Sequence, residues 1–228
     1  MKNPLFFFFL IWYRKIISLK FLNKTPKEVF TEKYKHNLWK SEESISGTGS
    51  EFRQTELLVS ELNNLLKRLE VSSLLDIPCG DFNWMQKVEL SNINYIGADI
   101  VEELVLENRL KFGESEWRKF EVINLIADPL PKADMILVRD CLVHLSYSDI
   151  QKALNNIKSS GAKYLLLTTF TDYPINFDIV TGAWRPLNFQ HRPFNFPPPI
   201  LVINENCTEN NGDFKNKSLG LWGFEQIL

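Results

Sequence analysis

The feature that most constrains the fold is a regular alternation of short apolar segments with helical segments between residues 72 and 170. Five short apolar segments, bounded by polar or turn residues, predict buried strands at 72–76, 94–99, 120–124, 135–139 and 164–170. Helices are predicted over 51–70, 100–112 and 148–161, and Ser50 is the expected N-cap of the first. Strands that alternate with helices imply an α/β fold, with a mostly parallel sheet covered by helices on both faces.

The last apolar segments predict an antiparallel hairpin that closes this sheet. They read ILVINEN and SLGLWGF and are separated by the polar turn CTENNGDFKNK. At 228 residues and 44% hydrophobic content, the chain is long enough to bury one sizeable core.

Chemistry is expected where the predicted strands end, because ligands of such sheets bind at the carboxyl ends of the strands. Asp76 ends the first strand, and Asp99 ends the second, where a carboxylate can take both ribose hydroxyls of a nucleotide-type cofactor. The intervening loop, PCGDFN, has one glycine and carries Asp81 where an anion would approach. A dinucleotide site needs a GxGxxG loop for its pyrophosphate, so this loop favours a cationic cofactor without phosphates.

Three motifs resemble those of class I S-adenosylmethionine (SAM)-dependent methyltransferases: VSSLLDIPCGDFNW, IGADI and ADPLPKADMILVRDCLVHL. The resemblance runs in order from about residue 50 to the C-terminus and implies a Rossmann-like, seven-stranded sheet whose last strand is antiparallel. It also implies SAM as cofactor and S-adenosylhomocysteine (SAH) as product. Of the family's three motif glycines, the second is retained as Gly80, whereas Pro78 and Phe82 replace the first and third, as in a subgroup with a DxPCGDF first motif.

The resemblance also assigns residues to the cofactor. Asp76 and Gly80 would border its methionine part, Asp99 would hold the ribose, and Asn124 would lie beside adenine. Gln54 would approach from the opposite side, where the segment SGTGS could act as a gate. Each residue has a structural alternative, since Asp76 and Asp99 could be caps and Gly80 a turn glycine. The full set expected at the cofactor is Asp76, Pro78, Gly80, Asp81, Trp84, Asp99, Ile100, Asn124 and Gln54.

The end of the fourth strand supplies the candidate catalytic residues Arg139, Asp140 and His144. An alcohol acceptor must lose its proton, and the His144 imidazole titrates near neutral pH. Asp140 could orient that imidazole, contact the cofactor or act as the base. As alternatives, His144 could be a buried core histidine and Asp140 the partner of Arg139 in a salt bridge. No metal site is predicted, because the three cysteines lack ligand spacing.

Residues 171–199 form a predicted long loop with six aromatic residues and six prolines. Loops of this length are often functional, and Trp184, Arg185 and Arg192 offer stacking and positive charge to a sugar, phosphate or carboxylate. The loop is therefore the expected acceptor site. A self-packed clasp or a dimer contact is the alternative.

The charge of the chain is unevenly distributed. Residues 1–40 carry nine Lys or Arg against two Glu, whereas the remainder carries 17 bases and 26 acids, which disfavours nucleic acid as a partner. Residues 1–49 are expected to be a basic, apolar leader and gate segment, followed by a methyltransferase domain over 50–228. The apolar run 4–13 is too short to span a bilayer, so the expectation is peripheral membrane contact through residues 4–20 at the inner face, or packing on the body. A cytoplasmic setting is expected.

The sequence thus predicts a SAM-dependent methyltransferase, most simply one that methylates an oxygen of a small hydrophilic or carbohydrate acceptor, such as a surface-polysaccharide precursor. The alternative is a cofactor-binding, non-catalytic partner subunit of another methyltransferase. An NAD-dependent enzyme ranks third.

Overall fold

The computed structural model describes residues 4–227, with side chains from Phe9 onward except that of Leu10. Within this range the helical segments are α1 (Pro4–Ser18), α2 (Pro26–Lys35), α3 (Phe52–Arg68), α4 (Glu102–Phe112), α5 (Tyr147–Ser159) and the single turn α6 (Glu209–Gly212). The strands are β1 (Ser73–Asp76), β2 (Asn94–Asp99), β3 (Arg118–Val122), β4 (Met135–Val138), β5 (Tyr164–Phe170), β6 (Leu201–Asn204) and β7 (Lys217–Gly223).

All seven strands belong to one sheet, in the order β3-β2-β1-β4-β5-β7-β6. The first five strands run parallel to one another, whereas β7 runs antiparallel to both β5 and β6. The predicted α/β fold with a mostly parallel sheet and a C-terminal antiparallel hairpin is confirmed. The chain order reverses between β1 and β4, which places the expected ligand site at the carboxyl ends of these two strands.

Both faces of the sheet are buried, which explains why the strands are apolar without interruption. Leu74 packs on one face with Leu62 of α3 and Val105 of α4, whereas the next residue, Leu75, lies in the opposite core with Ile157 of α5. Because side chains alternate across a strand, a one-residue shift in register would exchange the two cores.

Helix α3 begins one residue later than its predicted cap implies. Glu51 occupies the N-cap position and Ser50 lies in a short 3₁₀ turn, so the predicted cap at Ser50 is wrong. The carboxylate of Glu43 replaces it, because its Oε1 accepts a hydrogen bond of 2.7 Å from the backbone N–H of Phe52. The start of α3 is therefore tied to the segment that precedes it.

Helix α2 lies within the predicted leader segment 1–49, where the sequence analysis named no helix. Its start has a capping box, in which the Thr25 side chain accepts from the backbone N–H of Glu28, and the Glu28 carboxylate accepts from that of Thr25. Pro26 occupies the first helical position, where its missing N–H costs nothing. The signal was present in the sequence as Thr-Pro-x-Glu.

Residues 171–200 contain no helix or strand, as predicted for a long loop. The second half of the loop packs on the core: Phe196 lies edge-on to Trp222, and the indole N–H of Trp222 donates to the carbonyl of Pro197 at 2.8 Å. This half matches the self-packed alternative. Trp184, in the first half of the loop, instead packs against the rings of Phe170 and Phe214.

The C-terminal end of α1 packs on this loop. The Ser18 hydroxyl accepts from the backbone N–H of Val180 at 3.3 Å, and the Arg14 guanidinium lies 4.9 Å from the centre of the Trp184 ring. Trp12 and Ile16 are exposed. The side chains of Phe6, Phe7 and Phe8, on which the membrane expectation partly rests, lie outside the described residues. Among the described residues, no helix is both long enough and apolar enough to cross a bilayer.

Candidate active site

A cavity of about 380 Å³ opens at the carboxyl ends of β1, β2 and β4. Of the predicted site residues, Gln54, Arg185 and Arg192 are not part of its lining. Gln54 instead donates from Nε2 to the Thr208 hydroxyl at 2.6 Å, and Arg192 is exposed. The structure brings twelve predicted residues to the cavity: Asp76, Pro78, Gly80, Asp81, Trp84, Asp99, Ile100, Asn124, Arg139, Asp140, His144 and Trp184.

The loop after β1 requires glycine at one of the three motif positions. Gly80 has a φ of +55°, and a Cβ at this position would lie 2.2 Å from the hydroxyl oxygen of Ser46. Phe82, at the third motif position, is buried with its ring 5.3 Å from those of Tyr95 and Phe120. Phe82 therefore anchors the loop in the core, and Gly80 admits the close approach of another segment.

Asp81 holds that segment over the loop. Its Oδ1 accepts from the hydroxyls of Ser44 (3.0 Å) and Ser46 (3.1 Å), and its Oδ2 accepts from the backbone N–H of Ile45 (3.0 Å). The Ser46 hydroxyl accepts in turn from the backbone N–H of Asp81 at 2.9 Å. We call residues 41–50 the strap. The strap contains the predicted gate SGTGS and forms one wall of the cavity.

Two buried carboxyl groups, those of Asp76 and Asp99, line the cavity. Asp99 accepts from the backbone N–H groups of Val101 at 3.0 Å and Gly80 at 3.3 Å, and Asp76 accepts from the hydroxyl of Tyr95 at 2.8 Å. Burial raises the pKa of Asp76 to about 7 and that of Asp99 to about 6, although these hydrogen bonds oppose the rise. A ligand with hydroxyl donors and a positive charge would relieve this cost, whereas a pyrophosphate would increase it.

These donors and acceptors fit SAM. Asp99 can accept from ribose hydroxyls, and Asp76 can accept from an ammonium group. Asn124 is fixed beside the apolar wall residue Ile123, because its Oδ1 accepts from the backbone N–H of Ile126 at 3.0 Å. This leaves the amide N–H₂ of Asn124 available to a base lying against the apolar wall.

His144 lies at the cavity wall in a defined tautomer. Its Nδ1 is 2.7 Å from the carbonyl oxygen of Ala183, an acceptor, so Nδ1 carries the proton and Nε2 has a free lone pair. Burial lowers the pKa of His144 to about 4, and the positive charge of Lys33 contributes to this shift. The imidazole is therefore neutral at physiological pH and able to accept a proton at Nε2.

Arg185 supports the His144 turn from behind. It is fully buried, and its guanidinium donates to the carbonyls of Leu142 (3.0 Å), Val143 (2.8 Å) and Leu145 (2.6 Å). These hydrogen bonds occupy the guanidinium N–H groups that the sequence analysis had expected to bind the methyl acceptor. Arg185 instead fixes the backbone on both sides of His144.

Asp140 belongs to a compact cluster of four charges. Lys217 Nζ lies 2.5 Å from Asp140 Oδ2 and 3.3 Å from Glu205 Oε2, and Arg139 donates to Glu205 at 2.6 Å and lies 3.5 Å from Asp140. Although burial alone would raise the pKa of Asp140, Lys217 and Arg139 lower it overall. Asp140 is thus an ionised, paired group, and the geometry favours positioning over proton acceptance.

Sequence reasoning missed several lining residues. Lys217 is the last residue of the segment that the sequence analysis predicted to be a polar turn, where a lysine is expected to be exposed. Lys33 lies in the predicted leader, where no site residue was expected, and Phe30 lies in helix α2, which the sequence analysis did not predict. The capping box at Thr25 could have revealed that helix, but not the direction of its side chains.

The fold is that of SAM-dependent methyltransferases of class I. Similar solved structures include human N-acetylserotonin methyltransferase in complex with SAM, with a TM-score of 0.57, 14% identity, and coverage of 90% of this chain and 61% of that chain. The methyltransferase domain of bacterial CtHen1-C gives a TM-score of 0.56, 14% identity, and coverage of 76% and 98%. An O-methyltransferase family protein from Burkholderia thailandensis gives a TM-score of 0.52, 14% identity, and coverage of 75% and 56%.

At these identities the likeness concerns the fold, and it confirms the Rossmann-like methyltransferase fold that the sequence predicted. The chain spans about three fifths of the length of the first of these structures. Neither the family models nor the curated proteins compared with this sequence give a match.

Proposed function

We propose that this protein is a SAM-dependent methyltransferase of the DxPCGDF subgroup that methylates an oxygen of a small hydrophilic or carbohydrate acceptor, such as a surface-polysaccharide precursor. The observation that carries the proposal is the pair of buried carboxyl groups, Asp76 and Asp99, in the cavity at the switch point of a methyltransferase fold. Such a pair is costly unless a ligand engages it.

The residues around the two carboxyl groups would hold the cofactor. Asp99 receives the ribose hydroxyls, Asp76 the ammonium of the methionine part, and Asn124 the adenine edge. When bound, SAM supplies a methyl group on a sulfonium, whose transfer to a hydroxyl oxygen leaves SAH and releases the hydroxyl proton.

His144 would accept that proton at Nε2, because Nδ1–H is already committed to Ala183. A positioned base of this kind contributes about 10²–10⁴-fold to a rate. Arg185 keeps the imidazole in place, and the strap limits the access of water to the cavity. Asp140, held by Lys217, lies on the same wall and can accept a hydrogen bond from a second hydroxyl of the acceptor.

The surroundings of Trp184 favour a sugar-like acceptor. Its ring lies edge-on to those of Phe214 (centroids 4.9 Å apart) and Phe170 (6.1 Å), and all three residues line the cavity. Aromatic faces stack on the C–H faces of sugar rings, while the charged cluster nearby offers hydrogen-bonding partners. This combination is suited to a polyhydroxylated ring more than to a fully apolar molecule.

Calorimetric titration of SAM and SAH into the purified chain tests the proposal. Asp99→Asn should abolish binding, whereas Asp172→Asn, an exposed carboxylate outside the cavity, should leave it unchanged. Formation of SAH on incubation with SAM and sugar phosphates would then show turnover. Binding without turnover, together with a stable complex with another methyltransferase, would instead establish the non-catalytic partner subunit.

We further propose that the protein is cytoplasmic and contacts the inner face of the membrane through α1. The supporting observation is a group of exposed apolar side chains in a segment that also carries basic residues. The exposed apolar residues are Phe9, Trp12, Tyr13, Ile16, Ile17, Leu19 and Leu22. Such a surface favours anionic lipid interfaces. Sedimentation with vesicles containing phosphatidylglycerol, but not with pure phosphatidylcholine vesicles, is expected, and Trp12→Ser with Ile16→Ser should reduce it. Equal sedimentation of wild type and variant would contradict this proposal.

A further inference from the structure

Lys33 is a cation at the cavity wall without an acidic partner. It extends from α2 and lines the same cavity as His144, and no described ion pair includes it. Its ammonium lies 5.2 Å from the ring centre of Trp39 and 5.7 Å from that of Phe21. The other cavity lysine, Lys217, is paired with two carboxylates. Lys33 therefore carries the unmatched positive charge on the acceptor side.

The surroundings make this charge costly. Burial, and then the charge of Lys20, lowers the pKa of Lys33 to about 8. Aromatic faces offset part of the lost hydration of a cation, but each contributes only about 0.5–2 kcal/mol. An anion at the ammonium would stabilise the charged form and restore its pKa.

We propose that the acceptor is an anion, whose carboxylate or phosphate group pairs with Lys33 while a hydroxyl reaches Nε2 of His144. This inference rests on the proposed function and specifies its acceptor. Because the charge of Lys33 contributes to the low pKa of His144, an anion that neutralises Lys33 would also make His144 a stronger base. Binding of the acceptor would thus improve the group that deprotonates it.

Three sugars that share one ring test the proposal: glucose, glucuronate and glucose 6-phosphate. Each is titrated by calorimetry into the protein in the presence and in the absence of SAH, at constant ionic strength. Wild type should bind at least one of the two anionic sugars about tenfold more tightly than glucose, which corresponds to about 1.4 kcal/mol. A preference for glucuronate would identify a carboxylate site. A preference for glucose 6-phosphate would identify a phosphate site.

Three variants assign the preference to Lys33. Lys33→Met keeps most of the apolar stem and should abolish the preference, whereas Lys33→Arg should retain most of it. Lys20→Met removes a nearby exposed charge and should leave the preference intact. The proposal is wrong if wild type does not distinguish the anionic sugars from glucose, or if the preference survives Lys33→Met.

The SAH titrations separate this inference from the proposed function. Failure of wild type to bind SAH overturns the methyltransferase, even if the anion preference of the SAH-free protein is present. Normal SAH binding without anion preference overturns the anionic acceptor alone. Lys33→Met should bind SAH within about twofold of wild type, since the described contacts of the Lys33 ammonium are with Phe21 and Trp39 rather than with Asp76 or Asp99, and this also shows that the variant is folded.

Discussion

The affinity for SAH should increase as the pH rises from 6 to 7.5, because the two carboxyl groups that we propose hold the ligand must lose their protons. In the ligand-free protein, burial raises the pKa of Asp76 to about 7 and that of Asp99 to about 6. Ribose hydroxyls and an ammonium group favour the ionised carboxylates. Binding should therefore release protons. The raised pKa values also affect folding stability, because the folded protein holds these two protons more tightly than the unfolded chain does. Their contribution to the free energy of unfolding therefore falls as the pH rises from about 4 through 7, whereas the affinity for SAH rises.

The size of the effect follows from the two pKa values. At pH 6, about half of Asp99 and about a tenth of Asp76 are ionised, whereas at pH 7.5 nearly all of Asp99 and about three quarters of Asp76 are. If both must be ionised, the affinity increases about 15-fold over this interval. Near pH 6.5 the two groups together should release roughly one proton per SAH bound.

Calorimetry in two buffers with different ionisation enthalpies measures both quantities at once. Proton release appears as a difference in the observed heat, and the affinity comes from the same titration. An affinity that is constant between pH 6 and 7.5, with no proton release at pH 6.5, would refute the reasoning that buried, protonated carboxyl groups form the cofactor site. Asp172→Asn serves as the control and should reproduce the wild-type profile.

Three further predictions concern the remaining parts of the site. His144→Gln should reduce kcat by about 10²–10⁴-fold and leave the affinity for SAH within about twofold; an unchanged kcat would exclude His144 as the base. Lys217→Met should lower the free energy of unfolding in urea by about 3–5 kcal/mol, because only Arg139 then remains to pair with Asp140 and Glu205 and the cluster keeps one uncompensated negative charge, whereas Lys163→Met, which removes an exposed lysine from a pair with Asp134, should cost much less. Asp81→Ala should release the strap, which weakens SAH binding about tenfold and exposes residues 41–50 to proteolysis; if the exposed-site control Glu42→Ala has the same effect, the strap is not held by Asp81.

The fold and the cofactor side of the site follow from local sequence signals. Leu74 and Leu75 belong to an uninterrupted apolar strand, and such strands require a sheet buried on both faces. Asp76 and Asp99 each end a strand, and parallel topology brings strand ends together at one edge whatever the details of packing. The cavity contains both residues for this reason.

The side of the cavity that we propose for the acceptor was much less predictable, because its residues come from segments distant in sequence. Arg185 looked like a free donor in a loop, yet tertiary packing directs its guanidinium to the carbonyls around His144. Gln54 lies on the predicted helix but contacts Thr208 rather than the cavity. The direction of a long polar side chain depends on which carbonyls and charges the fold places near it, and no local pattern encodes that.

The sequence by itself determined the sheet, its parallel order and the two carboxyl groups at its switch point, since apolar periodicity and strand-end residues act locally. Only the tertiary structure decided that the strap is fixed by Asp81, that Asp140 is paired with Lys217, and that Lys33 lines the cavity with no acidic partner among the described residues. The physical reason is that burial and charge pairing depend on distances between segments far apart in the chain. Those distances exist only once the sheet has brought the segments together.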